Sequence, residues 1–157
     1  MSFKSREGNH LHSHFVASGL HILLAVAGIL LKQSTTPMPD IPVIDLQAIE
    51  NLRALNPGDE DEFLREIVQI FLTDTPQRIT ELEQSLTARD VPKFARAAHS
   101  VKGSSANLGA MALRSVAEKL EHHSRQAGLD GAPPLLIELK VQFAQAQLEL
   151  KKLVAEK

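Results

Sequence analysis

His99 stands three residues before Lys102 and four before Gly103, in the run Ala97-Ala98-His99-Ser100-Val101-Lys102-Gly103-Ser104-Ser105-Ala106-Asn107-Leu108-Gly109-Ala110. Around it Phe94, Ala98, Val101, Ser105 and Leu108 recur at steps of four and three, the seam of an amphipathic helix. At ~100° per residue, His99 points roughly 140° away from that seam and Gly103 roughly 180° away, with Lys102 on the flank. An imidazole in water is substantially neutral at cellular pH and offers a lone pair for nucleophilic attack. An ammonium one turn away would stabilise the charge of a phosphoryl group carried on that imidazole. Glycine inside a helix costs about 1 kcal/mol relative to alanine. Core crowding does not account for a glycine that faces outward, whereas a missing side chain lets another molecule's surface reach the ring. The same short pattern also fits a solvated surface histidine without chemistry, and the residues alone leave both readings open.

The elements that must position these residues are helical. Asp45 is a plausible N-cap for a short helix in which Leu46, Ile49, Leu52 and Leu55 repeat every three residues, and Asn56-Pro57-Gly58 stops it. Asp59 opens a second helix with Glu62 as the partner in an acidic capping box. Its apolar positions are Phe63, Ile67, Ile70, Phe71, Ile79, Leu82 and Leu86, and Pro76 predicts a kink rather than a break. Asp90 caps the third helix with Pro92 in its first turn, and Gly109 ends it. A fourth helix carries Leu113, Val116, Leu120 and Ala127. After the loop 128–131, Pro133-Pro134 start a last helix with Leu136, Leu139, Phe143, Ala146, Leu150 and Leu153 inward. Short loops favour antiparallel neighbours, so the fold class is all-α: an antiparallel up-down four-helix bundle with a short leading helix.

Composition narrows the function. The chain has 157 residues, 43% apolar, with 4% aromatics and no cysteine. A disulfide framework, a thiol nucleophile and a cysteine zinc site are thereby excluded. With 17 basic and 19 acidic residues the net charge is −2, which calls for no nucleic-acid partner. There is no Gly-rich phosphate loop, hence no ATP site. A di-iron bundle needs Glu-x-x-His, but the residues three before His122 and His123 are Lys119 and Leu120. That histidine pair reads as solvated near a helix end, and no metal site is expected.

Residues 1–37 stand apart from the predicted domain, 38–157. Phe15–Leu31 is a 17-residue apolar segment, at the lower edge of the ~20 residues that span a membrane. Membrane anchor, signal peptide and translation truly beginning at Met38 are three readings of it. No A-x-A cleavage site follows it, and Met38 immediately precedes the first domain-like segment. An anchor with Lys4 and Arg6 inside would export the domain, so a cytoplasmic chain fits the third reading. His10, His12 and His14 form an H-x-H-x-H run whose metal affinity would be incidental.

The run from Ala98 to Ala110 resembles the signature of histidine-containing phosphotransfer (HPt) domains, in register at His99, Lys102, Gly103, Ser104, Ser105, Asn107, Leu108 and Gly109. Phe63-Leu64 to Phe71-Leu72 with Thr75-Pro76 resembles the family's second helix, and Leu120-Glu121 the end of its fourth. The resemblance covers residues 40–155 in outline and has no counterpart for 1–37. It implies a four-helix bundle that carries a phosphoryl group between receiver domains of a multistep phosphorelay. His99 would be the phosphoacceptor through Nε2, and Lys102 would stabilise the phosphoryl group. Gly103 would permit a receiver to dock, with Ala95, Arg96 and Ala106 around it. Glu121 stands where relatives can hold a glutamine that orients the imidazole; a carboxylate could do so only by accepting a bond from Nδ1–H. Ser104 and Ser105 would pack or cap locally. The implied partners are response-regulator receivers and hybrid sensor histidine kinases, met by a monomer. The chain would be a phosphocarrier rather than an enzyme, without a cofactor of its own, the Mg²⁺ belonging to the partner. A bundle that binds receivers without transferring phosphate is the alternative.

Overall fold

The computed structural model describes residues 41–58 and 61–155, and among these the regular structure is entirely helical. The apolar segment 15–31, the histidines of the H-x-H-x-H run, the 37/38 boundary and Asp59 lie outside the described residues. Five helices follow in order: α1 (Leu46–Leu55), α2 (Glu62–Thr87), α3 (Val91–Asn107), α4 (Met111–Ala127) and α5 (Ala132–Ala155). The turns at 88–90, 108–110 and 128–131 are too short to let consecutive long helices do anything but fold back on one another. α3 packs most extensively against α4 and next against α2, while α5 closes the bundle against α4 and α2.

The predicted caps at Asp45 and Asp90 form. Asp45 accepts the Gln47 N–H at 3.0 Å, and Asp90 accepts the Lys93 N–H at 3.0 Å with Pro92 in the first turn. α2 begins differently. Its first helical residue is Glu62, preceded by Asp61 in a left-handed conformation (φ 67°), and the Asp61 side chain makes no cap bond. Instead its carboxylate accepts from Arg53 Nε at 3.1 Å, joining α1 to the start of α2. An acidic run contains several candidate caps, and a partner on another helix decides what one of them does.

Two apolar stripes also lie elsewhere than the sequence predicts. Steps of three residues drift by ~60° each around a helix. The four apolar residues of α1 therefore spread over half its circumference: Ile49 is buried, while Leu46 and Leu55 face solvent. In α2 the buried row is Leu64, Val68, Phe71, Thr75, Ile79, Leu82 and Ser85. Phe63 and Ile67 are only half-buried and Ile70 is exposed. Thr75 and Ser85 continue the inner row at helical spacing, small polar side chains that an apolar count passes over. Pro76 is exposed and α2 runs through it as one helix, since the loss of a single N–H donor is absorbed by 26 residues of packing. On α4 Ala127 is exposed, and the buried row is completed by Ala117, Glu121 and Ser124.

The inner face of α3 is as expected: Phe94, Ala98, Val101, Ser105 and Leu108 are all buried. Truncating a fully buried Phe94 to alanine would cost about 3–5 kcal/mol, so this face anchors whatever the opposite face presents. The leading segment fastens to the end of that helix. Asp45 N–H donates to Gly109 O at 2.8 Å, and Ala112 N–H to Pro42 O at 3.2 Å. Gly109 has φ 67°, and a Cβ there would fall 2.7 Å from the Ala48 Cβ. Only glycine allows both the turn and that approach.

Candidate functional site

α3 presents His99 and Lys102 on its outer side, one helical turn apart. The His99 side chain is 62% exposed. Beyond it Gly103 is open: a Cβ built there meets no heavy atom within 4 Å. The predicted relation between the histidine and the bare backbone beside it is thus present.

What the outer face of α3 lacks, α4 supplies. Glu121 lies one position from the α4 core row at Leu120, and its side chain is only 9% exposed. A carboxylate taken out of water this far is tolerated when charge-assisted donors surround it. Here His99 Nδ1 lies 2.9 Å from Oε1 and Lys102 Nζ 2.7 Å from Oε2, and the Arg125 guanidinium forms an ion pair with Oε1 at 2.8 Å. Burial alone would push the Glu121 carboxyl up. The hydrogen bonds from Lys102 and His99, with the Lys102 charge, outweigh it and hold the group below the ordinary carboxylate range. Glu121 is therefore ionised at neutral pH.

An ionised carboxylate can only accept, so His99 Nδ1 carries the hydrogen and the lone pair of the neutral ring lies on Nε2. Among the described residues nothing bonds to Nε2. The arrangement selects one tautomer, turns one nitrogen inward and leaves the other as a nucleophile toward solvent. Lys102 is half-buried and held on the carboxylate, within a turn of the ring.

The other sequence-derived residues divide. Arg96 and Ala106 are exposed near His99 and Gly103 on the same helix. Ala95 is only 6% exposed, because it lies on the inward side of α3, and it offers no surface for docking. Ser104 and Ser105 are spent locally, their hydroxyls donating to Val101 O at 3.2 and 2.6 Å. His122 is exposed, but His123 is half-buried with its ring against Gly131 and its Nε2 without a partner among the described residues. The expectation that both are solvated is corrected there, the 128–131 loop folding back over the ring. Arg125 is a site residue that the sequence reading passed over. Its signal was present: it follows Glu121 by four residues, the spacing of helical ion pairs. Among the described residues no three His, Asp or Glu side chains converge as metal ligands would.

Comparison with known proteins bears directly on this geometry. The model of the Hpt domain family matches residues 66–155, which include His99, Lys102, Gly103, Glu121 and Arg125. The multistep phosphorelay regulator 1 of Schizosaccharomyces pombe is 31% identical over 96 residues, 61% of this chain and 32% of that protein. The phosphorelay intermediate protein rdeA of Dictyostelium discoideum is 31% identical over 86 residues, 55% of this chain and 34% of its own. The chain thus spans about a third of the length of these curated relatives. Among solved structures, the histidine-containing phosphotransfer protein B of Pseudomonas aeruginosa superposes with a TM-score of 0.67 at 28% identity, covering 74% of this chain and 97% of that one. A putative histidine-containing phosphotransfer protein from rice shares the fold at a TM-score of 0.64 and 20% identity, over 88% of this chain and 93% of that one. With the matched region taking in the outward histidine, its carboxylate and all but the first turn of the four long helices, the chain belongs to the HPt domain family.

Proposed function

We propose that this protein is a phosphocarrier of a multistep phosphorelay, accepting a phosphoryl group on His99 from a receiver-domain aspartate and passing it to another receiver. The observation that carries the reading is the inward hydrogen bond from Nδ1 to Glu121, which leaves Nε2 as the outward nucleophile beside an open Gly103. In the step, the Nε2 lone pair forms a P–N bond while the P–O bond of the aspartyl phosphate breaks. The bonding pair leaves with the receiver's carboxylate, and Nδ1 keeps its hydrogen. Return of the group to a second aspartate reverses these events. Lys102 neutralises charge on the transferring group, and Arg96, Gly103 and Ala106 form part of the docking face. No ATP site and no cofactor belong to the carrier; the receiver supplies the Mg²⁺ that binds its own acidic residues. The chain then contributes a nucleophile and its surroundings to chemistry completed by the partner, in place of being an enzyme alone. The names of the relatives, a phosphorelay regulator and a phosphorelay intermediate, support the same role.

The test is transfer from a phosphorylated receiver. Wild-type protein should take up acid-labile phosphate and His99→Gln none. Equal labelling of the two would remove His99 from the mechanism. Receiver binding by a wild-type chain that takes no label would identify an interaction module instead.

A further inference from the structure

Lys102, the cation proposed to meet the phosphoryl group, is already engaged. Its Nζ lies 2.7 Å from Glu121 Oε2, in a half-buried setting where the pair is poorly screened. The carboxylate has a second cation beside it, Arg125, 2.8 Å from Oε1. A glutamine in place of Glu121 could hold the ring through its amide oxygen but would place no anion on Lys102. We infer that Glu121 competes with the phosphoryl group for Lys102, and that Arg125 remains on the carboxylate to release the lysine when His99 is phosphorylated.

The inference rests on the phosphocarrier reading and deepens it. When the P–N bond forms, the phosphoryl oxygens bring negative charge to the outer side of the ring. Lys102, one helical turn from His99, moves from Oε2 toward those oxygens. Glu121 then keeps Arg125 and the Nδ1–H, so its charge remains balanced. Arg125 is 60% exposed on its side chain, and reaches the carboxylate from its own helix at i+4. The exchange makes the phosphorylated form less stable than a free lysine would make it. That loss poises the group for onward transfer.

A double-mutant cycle on the lifetime of the phosphohistidine isolates the competition from other effects of either residue. The Lys102→Ala change should shorten the lifetime by a factor about two-fold or more larger in the Glu121→Gln background than in wild type, the lower range of couplings between contacting residues. In wild type the lysine is shared, and in the isosteric variant it is wholly available. Equal factors, or a larger factor in wild type, overturn the inference. Arg125→Gln should shorten the lifetime in wild type and leave it unchanged in the Glu121→Gln background; equal effects in both count against the release role. Should Glu121→Gln fail to fold, the wild-type protein itself answers. The ¹⁵N signal of Lys102 Nζ should move on phosphorylation by the receiver while the Arg125 signals stay near their places. An unmoved Lys102 signal refutes the exchange. Absence of label on wild-type protein would instead defeat the phosphocarrier reading, so the two failures are told apart.

Discussion

Gly103 and Gly109 lie six residues apart at the end of one helix, and their surroundings are opposite. Around Gly103 a Cβ would meet open space; at Gly109 it would run into Ala48 and the backbone of Asp45. Gly109 has φ 67° and helps fasten the leading segment to the α3–α4 turn, through the bond its carbonyl accepts from Asp45 N–H. Gly103 lies within ordinary helix, where alanine would fit better. One glycine is therefore required by the fold; the other is not, and the proposed docking of a receiver would account for it.

This contrast is easily broken if it is wrong. The largest effect is expected at Gly109→Ala, where left-handed strain and a forced approach to α1 add to about 2–4 kcal/mol of destabilisation, read from urea unfolding. A neutral outcome would mean that α1 does not seat on the turn. Gly103→Ala should go the other way, raising stability by about 0.5–1 kcal/mol because the unfolded chain loses freedom and the helix gains a better former. A longer side chain, as in Gly103→Gln, should leave the fold intact and slow phosphotransfer from a receiver; an unchanged rate would show that no partner approaches there.

The smallest effect lies in acid. The folded-state pKa of Glu121 is depressed by its donors despite burial. Its contribution is thus fully present above the unfolded value, ~4.5, and is lost as pH falls through the lower folded value. Wild type should therefore lose stability relative to Glu121→Gln as the pH drops below about 4.5. Parallel curves throughout would mean that Lys102 and His99 do not engage the carboxylate in solution.

Much of this was legible beforehand because helices announce themselves locally. The α3 seam at Phe94, Ala98, Val101, Ser105 and Leu108 obeys a period set by backbone geometry, so its outward face followed directly. Caps at Asp45 and Asp90 were readable for the same reason, their bonds reaching only two or three residues along the chain. Asp61 was not, since its side chain answers Arg53 on another helix. Nor was the shift of the α2 inner row, where the polar Thr75 and Ser85 are buried.

His99, Lys102 and Gly103 share one helix, and their common exposure is a property of 3.6 residues per turn. The sequence alone therefore determined an outward imidazole beside a lysine and a bare stretch of backbone. Glu121 reaches them across 22 positions, a separation that says nothing about distance until α3 and α4 pack side by side. Only the tertiary structure decided that this buried carboxylate meets the ring nitrogen and the ammonium of another helix, whereas Arg125 lay within local reach at four residues along its own. Side-chain partners between helices depend on rotation and axial offset in the bundle, and no local period encodes either.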